Sequence, residues 1–279
     1  MLAPCFRLVL GLVLATSGMG SAMAADHALC GGKPTPVRIM EALDGTSLKL
    51  ADGRVVRLSH LIAPLPIDGD KDAIMRAKEI LVEIANGKDA LLYLSSEAKD
   101  RYGRLAAQSV QIGGKLWLEA ELLSRGVVRV FPGADDKCAK ALLQVEAKAR
   151  VSKAGFWSEP KFAILDAGHI EALLTAEGRF VIVEGTIRRV GEARGRVYLD
   201  FGRRFTEDFT IIVPDGIRKS LVAQGSDPKS WRGQRVRVRG ILFSWGGPAI
   251  EVNLAPAIEL LNQNIPDQNI PDQDIPKSE

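Results

Sequence analysis

A chain of 279 residues with 46% hydrophobic and 25% charged side chains has ordinary globular composition, and its length exceeds what one small core organises. The formal net charge of +3 excludes a chain-wide polybasic surface that would announce nucleic-acid binding by itself, so any basic patch has to come from local clustering. Of the three histidines, only His60 and His169 lie inside a predicted domain, and neither stands in a recognisable nucleophile motif.

The first 24 residues (1–24) read as a secretory signal peptide: Arg7 supplies the positive segment, Leu8 to Ala15 the apolar run, and Ala22-Met23-Ala24 the small-residue cleavage site. The run is too short and too interrupted by Gly and Ser to span a membrane, so no transmembrane segment is expected after cleavage and the expected localisation is exported, periplasmic or secreted. Cys30 follows His27-Ala28-Leu29 rather than the small residues of a lipoprotein signal, which argues against a lipid anchor. Cleavage leaves Cys30 and Cys138 in an oxidising compartment, where one disulfide is the default; the alternative is two free buried thiols.

Residues 30–160 form the first expected domain. Val37 to Leu50 turns about Asp44-Gly45, and Arg54 to Leu61 continues after Asp52-Gly53, which predicts a three-stranded meander. Pro64 and Pro66 stop the strand. A helix then begins at Asp68 to Asp72, carries Ile74, Ala77, Ile80, Leu81 and Ile84 on one side, and closes at Asn86-Gly87. Ala90 to Ser95 and Leu105 to Ile112 read as strands, Leu116 to Ser124 as a short helix, and Asp135 to Lys153 as a longer one with Cys138 on its buried face. Five strands around one helix predict a small barrel.

Residues 161–263 predict a second barrel, with strands near Arg179 to Val190, Gly195 to Gly202, Asp208 to Val213, Gln234 to Trp245 and Pro248 to Leu254, and a helix over Gly216 to Gly225. A helix between the third and fourth of five strands is the OB-type order. Arg188, Arg189, Arg194, Arg196, Arg203 and Arg204 crowd its first strands with Tyr198, Phe201 and Phe205, a mixture that suits a single-strand-binding face. Core aromatics, Tyr198 and Phe205 among them, with a solvated charged rim is the favoured reading, because Glu192, Asp200, Glu207 and Asp208 offset the charge. The tail, 264–279, repeats an Ile-Pro-centred five-residue unit and is expected to be extended and disordered.

The Asp-Gly turn, Arg57-Leu58 leading to Ala63-Pro64, Asp100-Arg101-Tyr102-Gly103-Arg104-Leu105-Ala106, Gly126 and Gly155-Phe156-Trp157 follow one another in a fixed order. In that order and spacing, residues 37–158 resemble the thermonuclease (staphylococcal-nuclease-like) family. The resemblance implies a five-stranded OB barrel with three helices, an α+β fold, followed here by the second OB-like barrel. It also implies calcium-dependent hydrolysis of phosphodiesters in DNA and RNA, with two Asp ligands, a Glu acting on the attacking water and two Arg residues on the phosphate.

Carried onto this chain, the pattern divides. Thr46 stands where the first calcium Asp belongs, Ile62 where the second belongs and Leu65 where the Glu belongs, while Asp44 matches the Asp that opens the turn and Arg57 and Arg104 match the phosphate-holding arginines. A hard cation needs several oxygen ligands and carboxylate charge, and this set offers one of each kind. The expectation is therefore a catalytically inactive relative with no confident catalytic residue, metal or cofactor, acting as a binding or interaction module. Its partner would be an anionic ligand, with nucleic acid among the candidates, or a protein.

Each retained group has a second reading. Arg57 and Arg104 could instead pair with Asp44 or Asp100 as structural ion pairs. The alternative to the whole reading is an active secreted nuclease with a rebuilt calcium site, for which Asp68, Asp70 and Asp72 are candidates; the favoured reading of those three is as solvated helix caps. His60 as a replacement base competes with a structural histidine on the barrel wall.

Overall fold

The computed structural model describes residue 30, residues 32–131, residue 133, residues 136–204 and residues 207–261. The readings of a signal peptide and of a repetitive tail fall outside the described residues. Among the described residues no helix is long and apolar enough to cross a membrane.

The first barrel is built from β1 (Pro34–Ala42), β2 (Ser47–Leu50), β3 (Val55–Leu58), β4 (Asp89–Lys99) and β5 (Leu105–Ile112). The strands pair in the order β3-β2-β1-β4-β5, and β3 also pairs in parallel with β5, which closes the ring. Alternating apolar residues fill it: Ile39, Leu48, Leu50, Val56, Leu58, Leu92, Leu105 and Ala107 are all buried. Helix α1 (Lys71–Ala85) lies between β3 and β4. Asp70 starts it by accepting the Ala73 amide at 2.9 Å, and Asn86 ends it, with its Oδ1 accepting the Ala42 amide at 2.8 Å. The apolar face of α1 reaches the Asp44-Gly45 turn so closely that a side chain at Gly45 would meet Ala63 and Ala77 at 2.7 and 2.9 Å.

Helices α2 (Leu118–Ser124) and α3 (Asp136–Val151) complete this half, with Leu116–Trp117 a short strand rather than the first turn of α2. Cys138 on α3 is bonded to Cys30, joining positions 108 residues apart. Both cysteines are fully buried, as the apolar spacing of α3 predicts.

The second barrel contains β6 (Phe180–Thr186), β7 (Arg189–Ala193), β8 (Arg196–Asp200), β9 (Thr210–Pro214), β10 (Arg235–Ile241), β11 (Phe243–Trp245) and β12 (Gly247–Glu251). The short α4 (Ile170–Thr175) precedes β6, α5 (Asp215–Ala223) lies between β9 and β10, and β13 (Ile258–Leu261) adds onto β10. β6 pairs with β10, and β7-β8-β9-β12-β11 follow in order, with β9 and β12 parallel. Because β6 continues into β7 and β10 into β11 through short bends, the arrangement repeats that of the first barrel, down to the helix after the third strand. The first strand is broken at Ile187-Arg188 because it changes partner there: the Ile187 amide donates to Gln234 O and the Arg188 amide to Asp200 O. Apolar residues on both sides of the bend hide it from sequence periodicity.

The barrels meet across a third apolar cluster, in which Ala73 of α1 and Ala149 of α3 pack with Phe156, Trp157, Phe162 and Ile182 of β6. Gly155, at φ +53, holds this segment in place; a side chain there would overlap the Gly126 carbonyl, and the Phe156 amide donates to that same oxygen at 3.0 Å.

A buried polar network crosses the same junction. Arg239 of β10 donates to Glu146 of α3 at 2.8 Å and to Glu259 at 3.0 Å, while the other Glu146 oxygen accepts the Val130 amide at 2.7 Å. Burial works to lower the Arg239 pKa, but the Glu146 and Glu259 carboxylates outweigh it and raise the pKa. Arg129 donates to Phe180 O at 2.7 Å and lies beside Asp68, whose carboxylate also holds Arg179 at 3.0 Å. Burial brings the Arg129 guanidinium down to about 10, which leaves it charged at neutral pH.

Candidate phosphate site of the first barrel

Three adjacent strands aim at one mouth. Ser47 of β2 stands opposite Arg57 of β3, Arg57 stands opposite Ala106 of β5, and Arg104 precedes β5 by one residue. Residues on neighbouring strands in this register share a face, so Arg57 and Arg104 come together. Arg104 Nη1 reaches Ser47 Oγ at 3.2 Å.

The two arginines are held differently. Arg104 makes a two-pronged ion pair with Asp100, Nε and Nη2 each 2.9 Å from Oδ2, and lies over the Tyr102 ring at 5.1 Å. The same carboxylate accepts the Tyr102 and Arg104 amides, so Asp100 is the anchor of the whole loop, and those bonds hold its pKa down. Arg57 donates to Leu61 O at 3.4 Å and covers the Phe131 ring at 5.5 Å. It makes no ion pair among the described residues. Burial first, and then the neighbouring Arg104 charge, push the Arg57 pKa down, and Asp100 and Asp44 offset this only in part. A half-buried cation beside another cation is stabilised by an incoming anion.

The turn next to them has no such appetite for a cation. Asp44 Oδ1 accepts the Thr46 amide at 2.7 Å and the Thr46 hydroxyl at 3.2 Å, so its charge closes the turn. Ile62 sits in a two-residue strand paired with Arg129–Val130, and Leu65 directs its amide to Asp68 Oδ2 at 2.8 Å. Asp68 faces Arg129 and Arg179, and Asp70 caps α1 and holds Lys161 at 2.6 Å. Among the described residues no group of three or more His, Cys, Asp or Glu is placed to hold a metal ion. One engaged carboxylate and one engaged hydroxyl, flanked by two branched apolar side chains, do not suit calcium. His60 is buried, and its Nδ1 accepts the Gly133 amide at 3.1 Å.

Residues 69–159 match the family model described as Staphylococcal nuclease homologue. That segment, which holds α1, the last two strands of the first barrel, α2 and α3, is similar to the staphylococcal-nuclease family. The match runs from Gly69, just before α1, to Glu159 and includes Arg104, while Asp44, Thr46, Arg57, Ile62 and Leu65 lie on the N-terminal side of it. No curated protein matches the chain. The similarity of residues 69–159 points to a nuclease-related or nucleic-acid-binding module.

Two features of the structure gave no sequence signal. Phe131 underlies Arg57 as a lone aromatic in no recurring pattern, and the Glu146–Arg239 pair joins residues 93 positions apart. In the second barrel Phe201 joins the core, but Tyr198 does not: it stacks on the exposed Trp245 with ring centroids 5.3 Å apart. The alternation of β8 accounts for this, since Val197 and Leu199 point inward and Tyr198 must point out.

Proposed function

We propose that this protein is an exported binding module that holds a phosphate-bearing ligand, with nucleic acid the favoured class, on Arg57 and Arg104 and does not hydrolyse it. The observation that carries this reading is the pairing of two guanidinium groups at one barrel mouth, one of them lacking a carboxylate partner among the described residues. Guanidinium forks match phosphate oxygens in geometry and charge. Thr46, Ile62 and Leu65 support the second half of the proposal, because metal-assisted attack needs a ligated cation and a positioned water, and these side chains supply neither. The disulfide supports the compartment, since such bonds persist in oxidising surroundings.

Fluorescence anisotropy with labelled single-stranded DNA tests the binding half. The affinity is expected to fall steeply with added salt and to weaken by roughly tenfold in Arg57→Gln, the effect of losing one charge-assisted contact. Binding that is undetectable, or indifferent to both salt and Arg57, would refute it.

A further inference from the structure

We infer that the second barrel carries a phosphate site of its own, in the cleft that Arg188, Arg232 and Arg235 line, and that its ligand is a phosphomonoester, free or at the end of a strand. This site is separate from Arg57 and Arg104 and goes beyond the function proposed for them. The cleft is about 810 Å³ and lies between the break in the barrel's first strand, the turn before β10 and the segment after Leu165–Asp166. That volume falls within the range of about 300–1,000 Å³ typical of small-ligand pockets.

Charge decides which ligand suits it. Of the three arginines, Arg235 is already committed, 2.9 Å from Glu184, which Arg237 also engages. Arg188 and Arg232 are exposed and make no side-chain ion pair or hydrogen bond among the described residues. The carboxylates lining the cleft are Glu184, held by those two arginines, and Asp166, whose Oδ1 accepts the Gly168 amide at 2.6 Å. Neither is spent on Arg188 or Arg232. Both arginines are anchored through their own strand or turn: the Arg188 amide donates to Asp200 O at 2.9 Å, and the turn carrying Arg232 is pinned by the Gly233 amide on Ile187 O at 2.8 Å. Two uncommitted guanidinium groups on fixed backbone call for a dianion, and a terminal phosphate supplies two charges and three acceptor oxygens where a diester supplies one charge.

The other basic residues of this barrel do not share the arrangement. Arg189 pairs with Asp200, Arg196 with Glu251 and Arg204 with Glu207. Arg194 and Arg203 have no ion pair among the described residues but lie outside the cleft, which makes them matched controls.

The test uses the full chain with Arg57→Gln and Arg104→Gln already introduced, so that the first barrel's site cannot report. Calorimetric titrations compare thymidine 5′-monophosphate with thymidine, and a short thymidine oligonucleotide with and without its 5′-phosphate. Each phosphorylated probe is expected to bind at least about tenfold more tightly than its unphosphorylated counterpart. Arg188→Glu with Arg232→Glu is expected to abolish that preference at an unchanged melting temperature, and Arg194→Glu with Arg203→Glu to leave it. Equal affinity for the two phosphorylated probes assigns the site to a free monoester, and a tighter oligonucleotide assigns it to a strand end. Absence of binding, no preference for phosphate, or equal losses from both charge-reversed pairs would overturn the inference.

Discussion

Arg57 and Arg104 differ in what their removal exposes. Arg104 is tied to Asp100, so Arg104→Gln leaves a carboxylate that also organises the Tyr102 turn without its partner; binding and local order should both fall. Arg57 is disfavoured where it stands, by burial and by Arg104. Arg57→Gln should therefore weaken anion binding with no loss of melting temperature. A paired comparison of anisotropy and thermal melts checks the asymmetry, and equal destabilisation by both substitutions would argue against it.

A second residue makes its own pH prediction. Glu119 in the first turn of α2 is fully buried, and desolvation raises it to about 8 even though the Val110 amide donates to it at 3.1 Å. Its folded pKa lies above its unfolded value, so the native state holds the extra proton. Stability from this group is complete below about pH 4.5, declines as pH rises, and is lost once pH passes about 8. Glu119→Gln should flatten that decline and, at pH 9, stabilise the fold by on the order of 4 kcal/mol. Denaturant titrations across the range give the answer, and an unchanged slope would contradict it.

At the scale of elements, much of the fold was legible because its signals are local. Asp44-Gly45 and Asp52-Gly53 mark the first meander, Asp70 and Asn86 bracket α1, and the spacing of Cys138, Leu142, Val145 and Ala149 places the cysteine inward. The break at Ile187-Arg188 was not legible, since it depends on which strand lies alongside. The arginines at the first mouth were legible as residues, but their inequality was not, because Asp100 is four positions from Arg104 whereas Phe131 reaches Arg57 from a distant loop. The disulfide acts at this scale too. It ties α3 to residue 30, and Cys138→Ser should cost about 2–5 kcal/mol, read as a lowered denaturation midpoint. A midpoint unchanged under oxidising conditions would show that the bond does not constrain the fold.

At the scale of the molecule, the barrels share a junction with an apolar half, Phe156, Trp157, Phe162 and Ile182, and an ionic half, Glu146, Arg239, Arg129 and Asp68. Removing one member of a buried pair costs up to about 3–5 kcal/mol, here lessened because Glu259 still holds Arg239 once Glu146 is gone, whereas replacing both with apolar groups is less costly. Glu146→Gln should therefore separate one unfolding transition into two, and Glu146→Leu with Arg239→Met should restore cooperativity. Calorimetric scans distinguish these outcomes, and a single transition in Glu146→Gln would mean that the barrels are coupled mainly by their apolar contacts.

The central claim is that the first barrel keeps the means to hold a phosphate and lacks the means to cut at one. Labelled single-stranded DNA incubated with the wild-type protein in calcium at low salt, with bound fraction and DNA length read from the same sample, tests it most directly. The account predicts DNA that is bound, released by salt and full-length, with no difference when calcium is chelated. DNA shortened in calcium and spared by chelator would contradict it.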